Sequence, residues 1–541
     1  METTTIDTVP DDGEKQMRHP SALSPATLVL IAVLSVFGAV IGMELLVKVG
    51  VTPVTSIIGA LVAMICARIP LQMFSSYKSI HVQNLAQSAI SSATFGAANS
   101  LLLPIAIPFV MGRTDLIVPM FFGVALAMLL DGYMLYRMFG TKIFPETGAW
   151  PLGVAAAEAI KAGDPESKQA RWLGAGLGVG LLGAWLGIPM SVFGTAFIGN
   201  IWALAMLGVG FLVGGYSQTL FGLEIGKAYI PHGIMIGAGL VALLQVFWLV
   251  IRDRKPQAVA RDAGAHASAV SVPSFRSAIE FGGIAYVGLA GLISLGSGLY
   301  AGMSPGMLVA FIAYAAFAAF VHELIVGIAA MHSGWFPAFA VALITLLVGM
   351  LIGFPPVALV VLCGFSAATG PAFADMGFDL KAGFVLRGEG KDPAFELAGR
   401  RQQLLAAMIA FVIAIPVAYL AHFIFFAHGQ VPPVAKVYVA TIKAGIAPTV
   451  MHALILWSLA GAALQLLGGP KRQLGVLFAT GLLIAYPAAG WAVLAGLAVR
   501  IVIERKASSE TQKRMEVFAA GMIAGDALYS FGDSLIASRA G

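Results

Sequence analysis

The sequence predicts an all-α polytopic membrane protein, and three features support that prediction. Hydrophobic residues make up 59% of the 541 residues and charged residues only 11%, whereas a soluble domain has about 25% charged residues. Long apolar runs recur along the chain, and a membrane-spanning helix needs about 20 such residues in a row. The runs are continuous and do not alternate in polarity, so the pattern is that of helices and not of barrel strands.

The apolar runs divide the chain into about fourteen to seventeen membrane segments. They lie near residues 26–48, 52–68, 116–137, 172–189, 195–215, 222–251, 279–300, 306–329, 335–353, 355–374, 403–427, 431–445, 447–467, 473–502 and 516–537. Two more stretches, 80–111 and 144–160, are apolar but interrupted by polar residues, Pro and Gly. The first run lacks a small-residue cleavage site near its end, so we interpret it as a membrane helix and not as a removed signal peptide.

A basic loop separates two membrane halves. Arginine and lysine crowd residues 252–276, and such bases mark the cytoplasmic side of a membrane protein. We therefore predict a disordered cytoplasmic N-terminus over 1–22, a first membrane half over 23–251, a cytoplasmic loop over 252–276 and a second half over 277–541. The net charge of +5 is interpreted as a topology signal of such loops and not as a nucleic-acid surface.

Two short echoes indicate that the halves are related. The tripeptide Lys-Ala-Gly at 161–163 and again at 381–383 precedes a charged loop and a new span, and "AYIPHG" from Ala228 is echoed by "AYPAAG" from Ala485. Chance similarity between Gly- and Ala-rich spans is the alternative. Repeated halves are a common transporter architecture, with the binding site near the membrane midplane between them.

Two glutamates are candidates for proton binding within the membrane. Glu158 lies in the broken stretch "FPETGAWPLGVAAAEAIKAGD", which is too short to span alone, and such half-helices are tolerated where they line a cavity or pack inside protein. Glu224 and Lys227 are the only charged residues between 173 and 250. Each glutamate has a lysine three residues later, so mutual pairing is the competing interpretation for both.

Six further residues are candidates for the path of a substrate. Asn84 and Gln87 add more polarity to their apolar stretch than contacts between helices require. Asp379 and Lys381 follow another Gly- and Pro-broken stretch, and Tyr229 and Tyr486 occupy matching places in the second echo. The competing interpretations are helix-to-helix hydrogen bonds for the amides and interfacial packing for the tyrosines.

The sequence argues against an enzyme. "HELIV" at His322 begins like the zinc motif HExxH, but Val326 occupies the place of the second histidine. The chain has no P-loop motif. Cys66 and Cys363 lie in separate apolar runs, which favours small core residues over a disulfide or metal motif. We therefore predict no metal site and no cofactor.

Several blocks resemble the oligopeptide transporter (OPT) family, which includes the yellow stripe-like metal-chelate transporters. The broken stretch containing Glu158 resembles that family's "FPEGTAAAEVLKAG", and "QNLAQSAISSATFGAANSLLLPIAIPFVMG" its "NLVQTAASAGESVASG" segment. "FGLEIGKAYIPHGIMIG", "DMGFDLKAGFVLRGEGKDPAFELAGRRQQ" and "AAGMIAGDAL" are similar to further blocks in family order. Two departures stand out: extra residues separate Glu146 from Glu158, and serines and threonine replace the glutamate of "AGESV" at 91–94. The short loops resemble a divergent prokaryotic-type member.

The resemblance implies about sixteen helices in two halves and import by alternating access, driven by protons. It implies short peptides or peptide-like compounds as substrates, with metal chelates as the alternative and a passive channel as the alternative from another class. Glu158 and Glu224 are then the expected proton-coupling residues. The expected substrate pathway comprises Asn84, Gln87, Tyr229, Asp379, Lys381 and Tyr486. The expected partners are the substrate, protons and the lipid bilayer of the cell membrane, with no nucleic acid; a homo-oligomer is one option.

Overall fold

The computed structural model describes residues 19–49, 76–162, 170–252, 275–334, 336–445, 447–506 and 509–540. These residues form the helices α1 (Pro25–Val49), α2 (Ile80–Phe95), α3 (Leu103–Met111), α4 (Ile117–Met138), α5 (Pro151–Ala162), α6 (Ala170–Trp185), α7 (Met190–Thr195), α8 (Ile201–Phe221), α9 (Ile230–Arg252), α10 (Phe275–Gly296), α11 (Pro305–Ser333), α12 (Ala338–Ile352), α13 (Pro356–Ala368), α14 (Pro371–Leu386), α15 (Pro393–Ala427), α16 (Pro433–Ala444), α17 (Pro448–Arg472), α18 (Leu474–Ile484), α19 (Pro487–Lys506) and α20 (Ser509–Ala540). The predicted run 52–68 with Cys66, and most of the predicted N-terminal and central loops, lie outside them.

The predicted fold class is confirmed. Within the described residues, ten helical segments are long and apolar enough to cross a membrane. They are Pro25–Val47, Ile80–Met111, Thr114–Met138, Ile201–Phe221, Arg276–Gly296, Pro305–Ser333, Pro356–Leu386, Pro393–Ala427, Thr449–Arg472 and Pro487–Arg505. Shorter apolar helices complete the bundle, so the protein is an all-α integral membrane protein.

The polar stretch 80–111 forms one long segment and is not broken as its composition suggests. α2 continues through a π-helical turn, Gly96–Leu102, directly into α3. A π-turn inserts a residue without ending the helix and is common at functional sites. The polar side chains of this stretch lie on a buried helix face: Asn84, Gln87, Ser91 and Ser92 are all fully buried.

The stretch 144–160 does contain a short helix. The described part of α5 has 12 residues and is about 18 Å long, less than the thickness of a bilayer core. It is preceded by irregular chain in which Phe139 and Phe144 form an isolated bridge. Trp150, fully buried, fixes the entry to α5 by donating its backbone N–H to the carbonyl of Met331 at 2.8 Å. The described part of α5 is thus packed inside the protein, as the sequence predicts for this stretch.

A second broken helix occupies the centre of the molecule. α13 ends at Ala368 and α14 begins at Pro371, with Gly370 between them at φ 97° and ψ −50°. That backbone conformation is accessible to glycine and strained for other residues. A Cβ at Gly370 would also lie 3.1 Å from Val326 Cγ2 and 3.2 Å from His322 Cδ2. Glycine is thus required at the break.

Every residue of α14 is buried, and α2, α4, α5, α11 and α15 surround it. Close approach depends on small residues: a Cβ at Gly153 of α5 would lie 2.4 Å from the carbonyl of Phe378 in α14. α5 and α14 both begin at a proline, and the same number of residues separates that proline from the lysine of each Lys-Ala-Gly echo. The two helices that carry the repeated Lys-Ala motif, α5 and α14, thus pack directly against each other.

The remaining helices pair by glycine contacts. α6 packs on α20, α8 on α18 and α9 on α17. A Cβ at Gly237 of α9 would lie 1.8 Å from the carbonyl of Ser458, and one at Gly180 of α6 would lie 2.3 Å from that of Met522. Small residues that let helix backbones approach are the usual means of association in a membrane, where hydrophobic burial between helices adds little.

Candidate functional site

α2 and α14 enclose a cluster of buried polar side chains. Gln87 Nε2 donates a 2.5 Å hydrogen bond to Asp379 Oδ1, and Ser91 Oγ donates to Asp375 Oδ1. The two aspartates are one turn apart, so both face α2. At most 1% of any of these residues is exposed. Ser92 is also fully buried. The five residues Gln87, Ser91, Ser92, Asp375 and Asp379 are called the carboxyl site.

Ser92 lies between the two carboxyl groups. Its Oγ is 3.2 Å from Asp375 Oδ2 and 3.3 Å from Asp379 Oδ2. A hydroxyl donates one proton, so both contacts are hydrogen bonds only when one of the carboxyl groups carries a proton. None of the ion pairs found among the described residues includes either aspartate. Two buried anions repel each other strongly. The site therefore fits a shared proton or a cation brought by a ligand.

Two amide side chains, one within the carboxyl site and one on the adjacent turn of α2, have unsatisfied atoms. Asn84 is fully buried, and among the described residues neither its Oδ1 nor its Nδ2 has a hydrogen-bond partner; the same holds for Gln87 Oε1. Asn84, Gln87, Ser88 and Ser91 follow helical spacing and share one face of α2. An unsatisfied buried polar group costs about 1–3 kcal/mol. These atoms are therefore candidate contacts for a bound molecule.

A second carboxyl cluster holds the start of α14. Asp131 Oδ2 accepts the backbone N–H groups of Gly370 at 2.8 Å and Phe373 at 3.1 Å. The Tyr286 hydroxyl lies 3.3 Å from Asp131 Oδ1 and also donates to Glu323 Oε1. Asp131, Tyr286 and Glu323 are fully buried, and Glu323 Oε2 has no partner among the described residues. As at Ser92, one hydroxyl proton lies between two carboxyl groups.

An ion network closes the other end of α14. Arg387 Nε and Nη2 donate to the two oxygens of Glu396 at 2.8 and 2.9 Å. Arg400 Nε donates to Glu396 Oε1 at 2.8 Å, and Arg400 also pairs with Glu146 from the segment before α5. Both arginines are at least 94% buried. The two cations and two anions compensate one another, which a buried charge requires.

Gln403 joins this network to the carboxyl site. Its Oε1 accepts from Arg387 Nη1 at 2.7 Å. Its Nε2 lies 2.6 Å from the backbone carbonyl of Asp379 and 3.3 Å from Ser88 Oγ. A displacement of the network would therefore be transmitted to both α14 and α2 through one side chain.

The sequence-predicted residues near α14 divide between its two sides. Gln87 and Asp379 meet directly, and Asn84 shares their face of α2. Lys381 is two residues from Asp379 and points to the other side, where its Nζ donates to the carbonyl of Glu146 at 3.0 Å. Glu158 is buried in α5 and accepts a 2.9 Å hydrogen bond from Lys161, as the pairing interpretation expected. Its role in proton coupling stays a prediction.

The other three predicted residues gather elsewhere. Glu224, Tyr229 and Tyr486 lie in the turns before α9 and α19. Glu224 pairs with Lys227, and 46% of its side chain is exposed. It lines a cavity of about 300 Å³ together with His232, whose ring centroid is 5.5 Å from that of Tyr229. Ala485, the neighbour of Tyr486, lines the same cavity. The structure thus gives these residues a common location that is distinct from the carboxyl site.

Sequence reasoning missed the clusters at both ends of α14. Asp131 and Glu323 are isolated charges in apolar spans. A charge of this kind was the reason for choosing Glu224 as a candidate, and the same criterion identifies Asp131 and Glu323 equally well. Tyr286 carries no such signal. Ser91 and Ser92, which stand where the related family has a glutamate, take their importance from Asp375, and only the fold shows that contact.

The fold and site define a class: an integral membrane protein with buried polar clusters along a broken central helix. The family model described as OPT oligopeptide transporter protein matches residues 22–247 and 227–537. The chain therefore belongs to the OPT oligopeptide transporter family and is a transport protein. A search of curated proteins found no match to the chain. The family match confirms the resemblance read from the sequence, and it agrees with the expectation that the protein is not an enzyme.

Proposed function

We propose that this protein is a proton-coupled importer of short peptides or peptide-like compounds that works by alternating access. The carboxyl site is the observation that supports this most directly. It places two carboxyl groups, neither of them in an ion pair found among the described residues, beside unsatisfied amides on the buried helix that follows the break at Gly370. Peptides offer the ammonium group and the amide hydrogen bonds that such a site lacks.

The Asp131–Tyr286–Glu323 cluster is our proposed proton site. It can hold a proton between two carboxyl groups, and one of these groups binds the first backbone N–H groups of α14. A proton gained or lost there changes how firmly Asp131 holds the helix that carries the substrate site. Glu158 remains a second candidate because it is buried on α5, which packs on α14. Glu224 is the third candidate for the proton site, and its exposed ion pair with Lys227 is the competing interpretation.

The entry of one proton supplies enough free energy to accumulate substrate against its concentration gradient. One proton crossing 100 mV releases about 2.3 kcal/mol, and a tenfold concentration ratio requires about 1.4 kcal/mol. One proton per neutral substrate thus supports about 50-fold accumulation at that potential. The cell membrane, with the N-terminus and central loop in the cytoplasm, is the proposed setting.

Uptake by proteoliposomes tests the proposal. The purified protein is reconstituted, an inward acid gradient is imposed, and a pool of di- to pentapeptides, free or metal-chelated, is quantified inside by mass spectrometry. We expect accumulation above the outside concentration that disappears when the gradient is collapsed. Equilibration that ignores the gradient would instead establish a passive channel, and accumulation of chelates alone would establish the metal-chelate alternative.

Four matched variants locate the coupling residue in the same assay. Glu323→Gln, Glu158→Gln and Glu224→Gln each remove one titratable group, whereas Glu280→Gln alters an exposed pair with Arg276 and serves as the control. We expect Glu323→Gln to abolish gradient-driven accumulation while facilitated exchange of peptide persists. Loss of accumulation in the control as well would show that the assay reports folding rather than coupling.

A further inference from the structure

Resting on the proposed function, we infer that the carboxyl site recognises the N-terminal ammonium group of the substrate and that Asn84 recognises the first peptide group after it. The protein is then selective for compounds with a free α-amine. N-acylated peptides, and chelates whose amines are blocked, are excluded.

The charge of the site favours an ammonium group. Asp375 and Asp379 present oxygens on one face of α14, and no described ion pair neutralises them. The cations near α14 are used elsewhere: Arg387 is held by Glu396, and Lys381 is directed to the Glu146 carbonyl. An ammonium group has three N–H donors. These match the two carboxyl groups and the unsatisfied Oε1 of Gln87.

Asn84 distinguishes a peptide from a bare metal ion. An inorganic cation can use carboxylate, hydroxyl and amide oxygens, but it cannot satisfy the Nδ2 donor of Asn84, which has no partner among the described residues. A peptide group offers a carbonyl to Nδ2 and an N–H to Oδ1, so it completes both atoms. Asn84 and Gln87 are one turn apart, with Cβ atoms about 5–6 Å from each other. One peptide residue spans about 3.3–3.6 Å, which brings an ammonium group and the following amide within reach of both.

The first test compares each peptide with its N-acetylated form. Each peptide of the di- to pentapeptide pool is supplied free, N-acetylated and C-amidated, with sodium or with choline as the buffer cation. We expect N-acetylation to lower uptake at least tenfold, and C-amidation or sodium removal to leave it within twofold. Equal uptake of free and acetylated forms, or a requirement for sodium, would overturn the inference. Both results still show transport, whereas absent uptake of every compound would refute the proposed function itself.

The second test uses variants of the two recognition groups. Asn84→Leu removes both unsatisfied atoms and keeps the branched shape of the side chain. If Asn84 recognises the substrate, we expect Asn84→Leu to be more heat-stable than the unmodified protein and to take up peptide at least tenfold less at low concentration. Unchanged uptake would show that Asn84 is purely structural. Asp379→Asn is expected to abolish discrimination between free and acetylated forms, and Glu280→Gln to preserve it. Full discrimination in Asp379→Asn would contradict the assignment even if its uptake fell.

Discussion

Asp131 holds the start of α14, and we expect the loss of this contact to destabilise the fold strongly. Asp131 Oδ2 accepts two backbone N–H groups, those of Gly370 and Phe373, at 2.8 and 3.1 Å. The first N–H groups of a helix have no partner within the helix, and here water cannot reach them because Phe373 and the Asp131 side chain are fully buried. The carboxyl group thus fixes the break that positions the carboxyl site.

The magnitude follows from the two hydrogen bonds. A hydrogen bond to a charged group contributes about 1.5–3 kcal/mol and one between neutral groups about 0.5–1.5 kcal/mol. Asp131→Asn can keep both bonds through its amide oxygen but loses the charge, so we expect a loss of about 2 kcal/mol. Asp131→Leu leaves two buried N–H groups without an acceptor, at about 1–3 kcal/mol each, and we expect a loss of about 4 kcal/mol.

Equilibrium unfolding in mixed micelles, followed by tryptophan fluorescence, measures both values. Asp115→Asn is the matched control, because Asp115 pairs with Arg113 at the surface and 58% of its side chain is exposed; we expect no measurable change from it. A stability of Asp131→Leu equal to that of the unmodified protein would refute the reasoning. It would mean that α14 starts correctly without its acceptor.

Four further changes probe the scaffold by the same unfolding measurement, the fourth as a control for the third. Gly370→Ala forces a strained backbone conformation, so we expect a loss of about 1–3 kcal/mol; an unchanged stability would show that the break relaxes freely. Glu396→Leu leaves two buried arginines without their shared anion, and we expect a loss of about 3–5 kcal/mol; a neutral outcome would show that water or another anion reaches the network. Gly237→Ala introduces a methyl group against the Ser458 carbonyl and should cost about 1–3 kcal/mol. Gly178→Ala, with open space around its Cβ position, should stabilise α6 slightly, and equal losses from both changes would contradict the packing argument.

The sequence predicted the helices well, but it predicted only some of their interruptions correctly. Apolar runs reveal helices because a membrane requires them, and the Gly-Pro pair at Gly370 and Pro371 marks the break before α14. The polar residues of 80–111 suggested an interruption that the structure lacks. Gln87, Ser91 and Ser92 are tolerated because α14 supplies partners for them, and Ser88 because α15 does. Composition alone does not identify such partners.

The candidate site was predicted only in part, because the sequence reveals single polar residues but not the residues that they contact. Asn84, Gln87 and Asp379 were identified because polar side chains in an apolar stretch need a reason to be there. The missing family glutamate at 91–94 suggested a different handling of charge. The structure shows serines at this place that contact Asp375, so α14 supplies the carboxyl groups. Contacts such as Tyr286 with Asp131 join distant parts of the chain, and their pairing depends on the fold.

A structure of the protein with a bound peptide tests the central claim most directly. Cryo-electron microscopy of the complex with a tripeptide from the transported pool would locate the amine. We expect the N-terminal nitrogen within hydrogen-bond distance of Asp375 and Asp379, with the first peptide group against Asn84. A peptide seated instead in the cavity beside Glu224 and His232, with the carboxyl site unchanged, would contradict the account.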